Sequence, residues 1–376
     1  MHLICAVVGQ ALGDLDDPGG AQAVSAQGDE LLGISDGGDA AGGLDLHMGG
    51  NMFGEQLHIG EGGTGLGYSK LSVRGSKGAQ INVTLNGVTL NDAESQEVFW
   101  VNIPALSSMI SSVQLQRGLG TSANGAGAFG ASINMSTASV GPDPFASAEM
   151  SVGSYGTFMN VYSAGTGLMK SGMYFNAAYS RSSTDGYIRN AFADVQSAMA
   201  VLGWMNERNS LRLTWLMGDQ STGITWEGIS PEQYEIDRRY NPAGEYEDKF
   251  GNLHYYDNET DNYAQHHLQL NYTRSFTDRM TWSTTFNYTR GDGYYENYKA
   301  GKEFSKYLMQ APEGYDEGDF ITREALANDY FVLNSDVRYS SERLNLTAGV
   351  NLSRYDGNHI GSVLWSDVLG DSYDYG

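Results

Sequence analysis

The chain has 376 residues, with 22 Lys and Arg against 45 Asp and Glu and a formal net charge of −23. That acidic balance argues against nucleic acid, whose phosphates require Lys and Arg. A single cysteine, Cys5, excludes an internal disulfide framework or a cysteine-based zinc site. Hydrophobic residues make up 40%, yet no run reaches the roughly 18–20 continuous apolar residues of a membrane helix. Beside 7 Pro, the 49 Gly and 24 Tyr suit many strands joined by turns.

Residues 1–60 contain no Lys or Arg, so the basic start of a signal peptide is not legible there. They show no sustained period of 2 or 3.6. Two readings stand for them: a disordered acidic leader, or a non-homologous segment produced by a frameshift or a misplaced start.

Thr64 to Thr137 reads as a small mixed domain. Leu71 and Val73, then Ile81, Val83 and Leu85, alternate with polar residues as in a half-buried strand. Asn86-Gly87 follows, a dipeptide that tolerates positive φ and closes hairpins. Pro104 is expected to open a short helix with Leu106, Met109 and Ile110 on one face. Val113 to Arg117 and Ala131 to Ser136 read as strands on either side of a glycine-rich loop.

From Phe145 onward about nine strands recur, apolar on one face and polar on the other. Met173, Phe175, Ala177 and Tyr179 oppose Asn176, Ser180 and Ser182; Leu211, Leu213, Trp215 and Met217 oppose Arg212 and Thr214. Connections alternate between tight turns, as at Asn206, Phe276 and Tyr339, and long polar segments: Thr184 to Val195, Gln220 to Asn262, Arg290 to Asp329, and Tyr355 to the end. Strands of about ten residues with such alternation are the pattern of an outer-membrane barrel. A sheet in lipid must close on itself and be apolar outside, while its lumen may be polar. Tyr179, Trp215, Tyr288 and Tyr339 are expected near strand ends as an interfacial girdle. The competing reading is a soluble antiparallel sheet, which also alternates.

Four pieces in order carry a family resemblance: Arg74-Gly75, the Ile81 to Gly87 strand and turn, Gln116-Arg117-Gly118, and Gly125-Ala-Gly127-Ala-Phe-Gly130 leading into Ser132 to Ser136. The segment resembles the second half of the plug domain of TonB-dependent outer-membrane receptors. The resemblance implies a mostly β chain, with a small α+β plug domain and an incomplete transmembrane antiparallel β-barrel. The expected division is 1–60 leader, 61–140 C-terminal half of the plug, and 141–376 N-terminal part of the barrel, the whole being a fragment. It implies energised uptake of a scarce nutrient across the outer membrane of a Gram-negative bacterium: a metal chelate such as a siderophore, a vitamin or an oligosaccharide. The implied partners are the TonB-type inner-membrane energy-coupling complex, the small ligand and the lipid bilayer. Arg74 and Arg117 are expected to contact barrel carboxylates. The alternatives are a non-transporting barrel, such as an adhesin or porin, and a soluble β-rich binding module.

Within the Asn91 to Trp100 loop, Asp92, Glu94 and Gln96 offer polar contacts, and Phe99 and Trp100 offer rings that either stack on ligand or cover the plug core. Trp226 is the expected partner from the barrel side. No cofactor, metal site or catalytic set is expected. Gly125 to Gly130 matches G-x-G-x-x-G, but a strand rather than a helix follows. Asp257, Glu259 and Asp261 read as a solvated acidic face, and His266 and His267 point to opposite faces of a strand. No nucleophile-elbow or zinc-protease signature occurs.

Overall fold

A computed structural model describes residues 75–106, 109–117, 130–137 and 140–373, together with the short segments 4–5, 22–25, 32–33, 57–61, 66 and 69–73. The expectations on Arg74, on the Arg117 side chain, on the glycine-rich loop 118–129 and on most of residues 1–60 lie outside the described residues. In chain order the strands are β1 Ile4–Cys5, β2 Gln22–Ser25, β3 Leu32–Gly33, β4 Leu57–Glu61, β5 Ser69–Val73, β6 Ile81–Leu85, β7 Val88–Thr89, β8 Ile110–Arg117 and β9 Ala131–Thr137. They continue with β10 Phe145–Val152, β11 Phe158–Gly165, β12 Met173–Thr184, β13 Ala193–Met205, β14 Asn209–Gly223, β15 Glu245–Glu247 and β16 Leu253–Tyr255. The last are β17 Thr260–Thr277, β18 Met280–Glu303, β19 Glu317–Ser340, β20 Asn345–Ser366 and β21 Gly370–Tyr373.

An inner domain is built on a five-stranded sheet of order β2-β8-β9-β6-β7, in which β6 and β9 run parallel and the other pairs antiparallel. Asn86 (φ 55°) and Gly87 (φ 82°) make the β6–β7 hairpin turn, the left-handed pair that a two-residue hairpin with the twist of its strands requires. Pro104 does not open an α-helix among the described residues. Trp100–Asn102 forms a 3-10 turn, Ala105 has φ 53°, and Ile110 already begins β8. The apolar spacing there marks core contacts instead, and Leu106 and Met109 are both buried.

The second sheet has ten antiparallel strands in the order β10-β11-β12-β13-β14-β17-β18-β19-β20-β21. Nine are long; the tenth has four residues. It curves around the inner domain as an open wall. Its outer face is apolar: Phe175, Leu213, Leu270, Phe286 and Leu333 are each about 40% exposed. Its inner face is polar and covered: Asn176, Ser180, Ser197, Gln269 and Asn287 are buried. That inversion of inside and outside is the opposite of a soluble domain.

One region of the inner face is apolar. Met199, Val201 and Leu216 of the wall join Val83, Leu85, Met109, Ile133 and Met135 of the inner domain in a single buried cluster. Burial of each such side chain contributes about 1.5–3 kcal/mol, so the inner domain is held against β12–β14 by hydrophobic contact.

The long connections are shorter than the sequence pattern implies. β18 runs to Glu303 and β19 starts at Glu317, so most of Arg290 to Asp329 is a two-stranded extension; β20 likewise runs to Ser366. Of the expected girdle, Tyr179, Trp215 and Tyr288 lie within their strands rather than at the ends, whereas Tyr339 stands next to the end of β19. The reason is solvent. Beyond the row that pairs Tyr288 with Phe331, the outward face turns polar, with ion pairs Arg290–Asp329 and Arg181–Asp194 at 2.7 Å. Once both faces are polar, period-2 alternation vanishes while the backbone pairing continues. Nine residues, Met280 to Tyr288, separate that row from the tight turn.

Candidate ligand cavity between the inner domain and the wall

The inner domain touches the wall through its turns. Asn86 Nδ2 donates to Gln269 Oε1 at 3.0 Å, Asn271 Nδ2 to Asn86 O at 3.3 Å, and Asn334 Nδ2 to Gly87 O at 2.8 Å. Ser197 Oγ donates to the Pro104 carbonyl at 2.6 Å. At Gly218 a Cβ would stand 1.8 Å from the Asn102 carbonyl oxygen, so only glycine lets the inner domain's backbone lie against the wall there.

Above this contact lies a cavity of about 940 Å³, bounded below by the inner-domain loop 89–103 and on the side by β14 and β17–β20. The loop is rigidly built. Asn91 Nδ2 donates to the carbonyls of Ile81 (2.8 Å) and Gln96 (2.7 Å), and Val83 N donates to Asn91 Oδ1 at 2.8 Å. Asp92 Oδ1 accepts from Glu94 N, Ser95 N and Ser95 Oγ within 3.1 Å.

The expected site residues divide. Asp92, Phe99 and Trp226 line the cavity. Phe99 is 41% exposed from below and Trp226 is 46% exposed on the wall side, edge-on to Tyr295 at 5.9 Å. Glu94 reaches β20 instead, accepting from His359 Nε2 at 2.8 Å and Tyr355 Oη at 3.3 Å. Gln96 turns back on its own loop, donating to the Ala93 carbonyl at 2.8 Å. Trp100 packs against the inner-domain core, so of its two expected roles it takes the covering one. His266 stacks on Trp215 outside, and His267 is buried inside, on opposite faces as expected.

Sequence reasoning missed the wall of the cavity. Cross-strand pairing sets Gln220, Tyr263, Gly293, Leu326 and His359 in one row, and Asp261, Tyr295, Glu324 and Gly361 in the next. The Tyr263 ring lies over Gly291 and Gly293, where any Cβ would collide with it. Its hydroxyl donates to Asn328 Oδ1 at 2.9 Å. The signal in the sequence is the density of Tyr in 294–298, within the polar segment Arg290 to Asp329.

Of the acidic trio, Asp257 is exposed as expected, but Glu259 and Asp261 are buried. Glu259 is 1% exposed; it accepts from Asn297 Nδ2 at 2.6 Å and Tyr298 N at 2.8 Å. Burial pushes its carboxyl up, against those two hydrogen bonds. Asp261 lines the cavity, and burial pushes it up to about 7 against a backbone hydrogen bond from Asn262. Burial also works to raise Glu296. Hydrogen bonds from Tyr256, from Asn258 (2.7 Å) and from Arg323 (2.6 and 2.9 Å) outweigh it and hold that carboxylate below its ordinary value. This network fixes the excursion between β14 and β17, which carries Trp226, to the extended wall strands.

Residues 18–132 match the TonB-dependent Receptor Plug Domain family. They are a TonB-dependent receptor plug domain. The match begins inside the segment read as leader, and β2 at Gln22–Ser25 pairs with β8 of the plug sheet. The plug and its wall together have the fold of solved TonB-dependent receptors. The copper transporter OprC is 15% identical, at 85% coverage of this chain and 45% of that one, with a TM-score of 0.63. The ferric-catecholate import receptor Fiu of E. coli K12 in its open form is 13% identical, at 96% and 53% coverage and TM-score 0.60. The ferric preacinetobactin receptor BauA of Acinetobacter baumannii is 13% identical, at 92% and 48% coverage and TM-score 0.61. The chain therefore spans about half the length of these structures. A sequence search of curated proteins returns no match.

Proposed function

We propose that the chain is the plug and part of the barrel of an outer-membrane receptor for energy-coupled uptake of a scarce small nutrient, working with a TonB-type inner-membrane complex. The observation that carries this reading is a plug seated against a wall that is apolar outside and polar inside, with a cavity between the two. The nine residues from the tight turn to the Tyr288 row agree with the about 9–11 residues of a tilted membrane strand. The solved relatives carry copper, ferric catecholates and ferric preacinetobactin by name, which supports nutrient uptake and a non-enzymatic role. Asp92, Phe99 and Trp226 are proposed to touch ligand from plug and wall. Glu94 is proposed to tie the loop to β20. Arg74 and Arg117 remain proposed plug–barrel contacts, and the division between plug and barrel near residue 141 is a proposal of the same kind.

Two measurements test this. The gene product should fractionate with the outer membrane. Deleting the gene, or the energy-coupling protein, should then give overlapping growth defects across a panel of limiting nutrients. A nutrient defect in the gene deletion that the coupling deletion does not share would point to a passive or adhesive barrel.

A further inference from the structure

Gln220 is 2% exposed, lines the cavity, and has no hydrogen-bond partner on either its amide nitrogen or its amide oxygen. Leaving a buried polar group unmet is costly, and here donor and acceptor are the two ends of one amide on a residue that lines the cavity. The group that matches such a pair is a hydroxyl, which donates and accepts at once. His267 Nε2, two rows below on the same inner face, is also buried without a partner; its Nδ1 is engaged with Thr289 Oγ1 at 2.9 Å.

The walls beside Gln220 are aromatic. Tyr263 is its direct cross-strand neighbour. Trp226 from the wall and Phe99 from the plug expose ring area to the cavity from different sides. Flat apolar faces with polar edges stack on such rings. The charge around the cavity is acidic: the carboxylates of Asp92, Glu97 and Glu324 line it against Lys306 and Arg323, and Asp261, whose carboxyl is raised to about 7, adds a full fourth charge only above that pH. Arg323 is already held by Glu296 at 2.6 Å. An anionic iron chelate would meet net repulsion at this face, whereas carboxylates accept well from hydroxyls.

Resting on the uptake reading above, we propose that Gln220, with Tyr263 and Trp226, forms a subsite for an uncharged polyhydroxylated ligand of the oligosaccharide class. Ring faces stack on Trp226 and Phe99, and a hydroxyl completes the hydrogen bonds of the Gln220 amide.

The test is a binding screen with the full chain in detergent micelles, after its partition into membranes has been checked. The probes are arrays of neutral oligosaccharides, uronic-acid oligosaccharides, and the ferric tris-catecholate of 2,3-dihydroxybenzoate. Neutral glycans should be retained in preference to both anionic classes. Gln220→Leu should weaken that binding about tenfold without lowering the melting temperature, since it replaces an unmet amide with an apolar side chain of similar size. Trp226→Ala, at an exposed ring, should weaken it as well. Tighter binding of either anionic class overturns the proposal, as does undiminished binding by Gln220→Leu, or no retained neutral glycan from a chain that does enter membranes. Failure to enter membranes overturns the uptake reading instead.

Discussion

The Asn86 side chain donates to Gln269 Oε1 at 3.0 Å across 183 residues of sequence, and both residues are buried. The same asparagine accepts at Oδ1 from Thr137 N at 3.0 Å and has φ 55°. One residue therefore shapes a hairpin turn, closes the plug sheet and fixes the plug to the wall. Replacing Asn86 with Ala is expected to lower stability by about 1–3 kcal/mol, through lost buried hydrogen bonds and left-handed strain. In a double-mutant cycle with Gln269→Ala, the coupling should be about 0.5–1.5 kcal/mol. Melts of the detergent-solubilised protein measure both, and strictly additive effects would deny the contact.

Gly218 admits the plug backbone. Gly218→Val should push the Asn102–Ile103 segment off the wall, because its Cβ has no room beside that carbonyl. Limited proteolysis should then cut the plug faster while the wall stays intact. An unchanged digestion pattern would mean that the plug does not seat there.

The outward face gives a test of lipid contact. Leu270 is 41% exposed and pairs with Leu213 and Phe286. Arginine at an exposed position of a soluble sheet is nearly neutral, but near the bilayer midplane it costs about 2–4 kcal/mol. Leu270→Arg should therefore lower the yield of folded protein in vesicles far more than Gln265→Arg on the inner face of the extended wall.

Asp261 makes stability depend on pH. Its folded carboxyl is raised from the ordinary 3.8 to about 7, so the folded state holds the proton more tightly than the unfolded chain. Its contribution is full below about 4, falls as the pH rises through about 7, and is constant above that. Asp261→Asn should remove that slope and leave the protein more stable than wild type at pH 8. Melts from pH 4 to 8 read this directly.

Arg323 neutralises Glu296, whose side chain is 3% exposed. Arg323→Ala leaves that carboxylate with Tyr256 and Asn258 alone. The expected loss is about 1–3 kcal/mol, at the lower end because Arg323 is itself 39% exposed. Protease should then reach the 224–259 excursion first.

The sequence by itself determined the strands of the wall and the plug hairpin, because both rest on local rules. Met173 to Ser182 alternates over a period that only a strand with one wet and one apolar face uses, and Asn86-Gly87 specifies its own turn. Which face was wet followed from the length of the strands and the short and long connections. Tertiary structure alone decided the cavity. The strands continue past the Tyr288–Phe331 row without alternation, because both faces there meet water, so Arg290 to Glu303 read as loop. Gln220 and Tyr263 lie 43 positions apart in sequence and become neighbours only through the register of β14 and β17. Trp100 and Phe99 are adjacent in sequence, yet one is drawn into the plug core and the other is left facing the cavity. That choice depends on what packs beneath the 3-10 turn at Trp100–Asn102, and no local pattern encodes it.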